Sequence, residues 1–387
     1  MRPTLRVLVA GGVIALAVAM GCGANEDNAP VADPEETRAI MGRLFESLQV
    51  LAPRAAGDGQ LREAAHRAEV RAAAAALARD GAALSRHAQA LGGGAVYLGR
   101  SLDRGAAEIQ QNIERGRYAR AAYLIQRMTQ NCVGCHARLP SDEDSPRAEA
   151  FVARQTLLDM PLQERATLEI ATRRFDDGLD TLEQLLLSPD ANAVLLMGPL
   201  EDYLTISLRV KNDFARPVPV LERFAQREDV WDQLQSTVER WIVALPELSQ
   251  RMPEQPDLAT AREFIDEGRS IEARDGSRAG LVYEIAGSAV LHRYLESEPE
   301  SPRDVAEAYY LLGLVESQIE RDYWVTPADY FLETSIRLGA GEPFARDAYA
   351  LLEEQLLLAY EGTPIEALPR AESRRLAELR KLIDAAS

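Results

Sequence analysis

Apolar positions recur at helical spacing along most of this chain. Met41, Leu44, Phe45, Leu48 and Leu51 follow the 3.6-residue period. The stretch "DPEE" just before them supplies Asp33 as N-cap, Pro34 at the first helical position and Glu36 three residues after the cap, so a helix is predicted to open there and to close at Pro53. A second segment, mostly alanine, leucine and arginine, runs from about Leu61 to Leu91, with room for a break near its start, and stops at Gly92 to Gly94. A third spans about Val96 to Arg115 and ends at Gly116. The fourth, "RYARAAYLIQRMTQNCVGCHARLP", stops before Pro140 and puts Tyr118, Ala121, Ala122, Ile125, Met128, Cys132, Cys135, His136 and Leu139 on one face. Short connections favour antiparallel neighbours, hence an up-down-up-down four-helix bundle over residues 34–140.

Helical spacing continues beyond a polar break at "RLPSDEDSPRAEA", which gives a linker over 141–147 and a second domain over 148–387. Setting Phe175 on Phe214, an offset of 39, also aligns Gly178 with Pro217, Leu182 with Leu221 and Leu185 with Phe224. Further on, "VAEAYYLLGLVESQIERDYWVTPADYFLETSIRLGAG" resembles a tetratricopeptide repeat, with Leu312-Gly313 on its first helix and Ala328 and Leu332 on its second, across a turn about three residues longer than that family's. Stacked helical hairpins forming a solenoid are therefore expected, with a concave face for partners. Tyr309-Tyr310 and Tyr323-Trp324 read as core of this half, and His292 in "VLHRYL" as a packed or exposed side chain rather than a ligand. No run of alternating β-branched residues is long enough for a sheet, so the fold class is all-α.

The N-terminus differs in kind. Arg2 and Arg6 precede an apolar stretch from Val7 to Met20, about 14 residues, short for a membrane span and suited to a signal-peptide core. Small residues before Cys22 in "AMGC" resemble a bacterial lipobox, although Ala19 stands where leucine is usual, and cleavage after Ala17 to Ala19 is the alternative. Residues 1–22 are thus read as a signal segment that makes Cys22 a lipidation site, and 23–33 as a polar tether. The expected location is the periplasm or cell envelope, on a lipid anchor.

Charge separates the two halves. Residues 23–140 carry a net charge of +2 with arginine as the sole base, whereas residues 141–387 hold 48 acidic against 26 basic side chains, a net of −22. Such an acidic half repels nucleic acid and anionic lipid, and it could steer a basic protein partner.

With Cys22 accounted for, Cys132 and Cys135 are the two cysteines left in the body of the chain, and His136 follows them directly in "NCVGCHARLP". No second CxxC or HxxxH completes a zinc site, and the βαβ context of a thioredoxin-type dithiol is missing. CxxCH on a helix suits covalent haem: Cys132 and Cys135 bond the two vinyl groups as thioethers, and His136 coordinates the iron. The motif near the end of a fourth helix resembles the class II c-type cytochromes, the cytochrome c′ group, over roughly residues 34–140. That resemblance implies a four-helix bundle with one haem c, with either an open sixth position or a methionine there. Met41 matches the place where class II members with a methionine ligand carry it; His87, near the end of helix two, is the other candidate, and His66 belongs at the far end.

Three functions follow as expectations. The first is single-electron transfer by an exported, anchored cytochrome whose helical half docks a redox partner, with no enzymatic activity. The second is a five-coordinate haem protein that binds or senses a gas. The third is a non-haem scaffold lipoprotein that works through the helical half alone.

Overall fold

The structure, a computed structural model, describes residues 34–56, 60–91, 93–125, 128, 160–297, 299–319, 327–359, 368 and 370–386. Among them there is no strand, and the chain is all-α. The signal segment, the tether and the expected linker lie outside the described residues, as do Cys22, Asp33 and Tyr323-Trp324.

Four N-terminal helices share one core: α1 (Pro34–Ala56), α2 (Arg67–Leu91), α3 (Gly93–Glu114) and α4, described over residues 118–125 and at 128. Leu44, Leu48 and Leu51 of α1 meet Val70, Leu77 and Leu84 of α2, Ile109 and Ile113 of α3, and Ala121, Ile125 and Met128 of α4. Pro53, expected to close α1, lies inside it instead. Ala52 and Ala55 are buried on either side of it, and the Arg54 guanidinium donates to the Val50 carbonyl at 2.6 Å, so core packing and a local bond carry the helix one turn further. The break near the start of the second segment is present. Leu61 is buried in a short 3-10 turn, Gln60–Arg62, and α2 itself begins only at Arg67. The glycine run does not separate α2 from α3 by a long turn, since Gly93 and Gly94 already belong to α3.

Many of the remaining helices pack on their neighbours in sequence. Those described are α5 (Leu162–Ala171), α6 (Phe175–Leu186), α7 (Met197–Thr205), α8 (Pro217–Ala225), α9 (Asp232–Arg251), α10 (Leu258–Asp275), α11 (Leu281–Glu296), α12 (Pro302–Gln318), α13 (Pro327–Leu338), α14 (Pro343–Ala359) and α15 (Arg370–Ala386). One core runs from α5 to α13, and a second joins α13, α14 and α15. Of the residues aligned at an offset of 39, Phe175, Phe214, Leu182, Leu221 and Phe224 enter that first core, while Leu185 packs against it only partly buried. Hairpins close through glycine where two helices approach. A Cβ at Gly178 would stand 2.6 Å from Ile170 of the preceding helix, and one at Gly313 would stand 2.6 Å from Leu332 of the following one. Tyr309 and Tyr310 are half-buried, packed edge-on to Tyr330 and stacked on Phe344 respectively. His292 is packed too, edge-on to Phe331.

Residues Ala32–Ser387 form one compact unit, so both halves belong to a single body. Phe45 of α1 is buried against Leu168 of α5 and Met160, and α3 packs against α13. No described helix is long and apolar enough to cross a membrane.

Candidate functional site

Cys132, Cys135 and His136 lie outside the described residues, and what the structure provides is the course of the helix that leads to them. That helix starts after Gly116, whose φ of +71° turns the chain in the left-handed region, with the Arg117 N–H donating to the Asn112 carbonyl at 2.8 Å. Ala121, Leu124, Ile125 and Met128 are buried along it. A Cβ at Gly105, midway along α3, would stand 3.2 Å from Met128 Cε. The described part of α4 therefore runs beside α3 from that helix's C-terminus back toward its middle, heading for the end of the core where α1 starts and α2 finishes.

Both candidate sixth ligands sit at that end. Met41 is half-buried and packed against the N-terminal core about two turns into α1. The His87 side chain is 9% exposed, and its ring lies against the first turn of α1: Nε2 is 2.6 Å from Thr37 Oγ1 and Nδ1 is 3.6 Å from the Glu36 carboxylate. Glu36, three residues after the expected N-cap, thus has the imidazole as a close neighbour. His66 lies at the opposite end of α2, half-exposed between Glu63 and Glu69. At the shared end, Ile40, Leu44, Leu84 and Ala88 are buried, and Gly99 of α3 comes so close to α2 that a Cβ would stand 2.9 Å from that of Ala88.

A thioether and an imidazole beside an apolar wall are the donors and surroundings that a haem iron takes, so the described residues fit that group. They do not fit it equally. Met41 engages in apolar packing, whereas His87 already has a hydrogen-bond partner on Nε2 and a carboxylate beside Nδ1. Whether the hydroxyl donates or accepts in that bond follows the tautomer.

Comparison with family models, with curated proteins and with solved structures finds no match to this chain.

The acidic half holds titratable groups that sequence reasoning did not single out. Arg209, in a π-helical turn after α7 (Ile206–Val210), bonds Ser288 Oγ of α11 at 2.9 Å and pairs with Glu316 of α12 at 2.7 Å, with both charged side chains buried. Arg278 donates to Glu201 at 2.8 Å and to the Gln318 carbonyl at 2.9 Å. Glu284 of α11 is 0% exposed, and neither of its carboxyl oxygens has a hydrogen-bond partner. Burial, reinforced by the Glu272 charge and only partly offset by Arg278 and Arg269, pushes its carboxyl up to about 8. The available signal was a lone acid inside an apolar run, "LVYEIAGSAV" for Glu284 and "LLGLVES" for Glu316. Among the described residues, no group of three His, Cys, Asp or Glu side chains could hold a metal.

Proposed function

We propose that this chain is an exported, membrane-anchored c-type cytochrome that carries one covalent haem for single-electron transfer. The observation that carries the reading is the course of α4. The described part of α4, which precedes CVGCH in the chain, runs beside α3 toward the end of the four-helix core that holds Met41 and His87. In this reading Cys132 and Cys135 would hold the group by thioethers, His136 would bind its iron, and Met41 is the candidate for a second iron ligand. The group would supply a one-electron couple when bound, and the buried Ile40, Leu44, Leu84 and Ala88 at that end of the core would help keep water from it.

The role given to His87 is structural. Its ring ties the start of α1 to α2, which holds Met41 in place one helical turn from Thr37. The segment before Cys22 is read as a leader with a lipid-attachment cysteine, as the sequence suggests.

The later helices are read as tetratricopeptide-like hairpins. Supporting this is the Gly313–Leu332 contact, a small residue on one helix against a leucine on the next, at the positions the repeat pattern selects. Their part is to meet a partner protein, and no catalytic step is assigned to them. The contact of Phe45 with Leu168 makes this half a brace for α1 rather than a freely hanging appendage.

Optical spectra of protein from cells that mature c-type haem, followed by denaturation in alkaline pyridine, test the reading. A haemochrome of the two-thioether type with low-spin native bands is the expected result. Absence of haem would overturn it. Carbon monoxide binding without ligand displacement would move the function to an open gas site.

A further inference from the structure

We propose that the turn joining α6 to α7, together with the start of α9, is a docking surface for a protein partner that presents apolar side chains ringed by lysines and arginines. The proposal is independent of the haem assignment. Val194 is 63% exposed, Leu195 is 70% exposed and Trp231, where α9 begins, is 40% exposed. Adjacent apolar side chains at a turn are unusual, because turns are commonly polar and the burial of such groups is favourable.

The turn is held firmly by its own bonds. Asn192 Oδ1 accepts from the Val194 N–H at 2.9 Å, and the neighbouring Ala193 and Leu196 are buried. Arg227 donates to the carbonyls of Leu186 at 2.9 Å, Ser188 at 2.6 Å and Ala191 at 2.5 Å, and also to the Asp229 carboxylate at 2.8 Å. Asp229 in turn accepts from the Ala193 N–H at 3.1 Å, so the two loops are locked together. Val194 and Leu195 are thus displayed on a preorganised frame, and a partner would bind without the entropy cost of ordering the loop.

Charge decides the occupant. Asp190, Glu228, Asp229 and Asp232 are all exposed around the apolar group, whereas Arg227 is turned inward on the carbonyls, leaving Arg223 as the exposed cation of the adjoining α8. Arg227 also holds the Asp229 carboxyl down at about 2, so it stays ionised. A ring of carboxylates around an apolar centre repels anionic lipid. In a symmetric pair of copies it would face its own like charges. A basic protein surface with an apolar centre meets both features at once.

The full chain can be titrated with a short synthetic helical peptide that has a leucine stripe flanked by lysines, followed by calorimetry. The controls are the same peptide with serine for leucine, vesicles of phosphatidylglycerol, and sedimentation of the protein alone. The substitution pair Val194→Ser with Leu195→Ser is expected to weaken peptide binding about tenfold with an unchanged circular dichroism spectrum. Asp190→Lys with Glu228→Lys should weaken it independently, and the serine peptide should bind wild type no better than the leucine peptide binds the Val194/Leu195 variant. Undiminished binding to the Val194/Leu195 variant would overturn the proposal. So would vesicle binding, or a dimer, that this variant abolishes, since either would assign the surface to lipid or to a second copy.

Discussion

Thr37 Oγ1 in the first turn of α1 lies 2.6 Å from His87 Nε2, one turn before the end of α2. The bond spans 50 residues of chain and fixes the end of the core where the haem-binding motif is expected. Thr37→Val would leave a buried imidazole nitrogen without its partner, at a cost of about 1–3 kcal/mol. Chemical denaturation should therefore show a lower midpoint at unchanged slope. His87→Gln should likewise lower stability while leaving the low-spin haem bands intact. Loss of those bands in His87→Gln would assign the iron to His87 and exclude the structural role.

Met41 gives the complementary experiment. In the haem-loaded protein, Met41→Ala is expected to convert a low-spin spectrum to a high-spin one and to open the iron to carbon monoxide. A spectrum identical to that of wild type would remove Met41 as ligand.

Gly313 and Leu332 test the hairpin packing. A Cβ on Gly313 would stand 2.6 Å from both Leu332 Cγ and Cδ2 and 3.2 Å from its backbone nitrogen, so rotation of the leucine cannot relieve the contact fully. Gly313→Ala should destabilise the protein by about 1–3 kcal/mol. Adding Leu332→Ala to that variant should cost less than Leu332→Ala costs in wild type, which a double-mutant cycle of unfolding free energies will read. Strict additivity would mean that the two residues do not press on each other.

Glu284 makes stability depend on pH. Its native carboxyl is pushed up to about 8 from an ordinary value near 4.5, so over that window the folded chain holds a proton that the unfolded chain has released. The contribution of this group is complete below the lower value and is lost progressively as pH rises through the upper one. Wild type should then lose stability relative to Glu284→Gln between about pH 5 and 8, by an amount on the order of a few kcal/mol. Parallel profiles for the two proteins, measured by denaturation across that range, would show Glu284 to be ionised or solvated in the fold.

Much of the helix layout was legible along the chain, because caps, glycines and the 3.6-residue period act over a few neighbouring residues. Pro34 opens α1 and Gly116 precedes α4, and the apolar Phe175 and Phe214 are both buried in one core. Pro53 misled, since its cost to a helix is local while the burial of Ala52 and Ala55 that offsets it is not. Met41 and His87 could both be assigned to one end by counting helices, but nothing in the sequence distinguished a histidine already bonded to Thr37 from one ready for iron.

By itself the sequence determined the helical class, the identity of the CxxCH motif and the division of charge between the halves, all of which rest on residue type and short-range spacing. Tertiary structure alone decided which charged side chains are buried and which helices brace one another. Arg209 meets Ser288 across 79 residues, Phe45 of α1 meets Leu168 of α5, and Glu284 stands without a hydrogen-bond partner while dozens of other carboxylates face water. Burial and pairing are properties of surfaces that come together only when distant segments fold, and no local pattern encodes them.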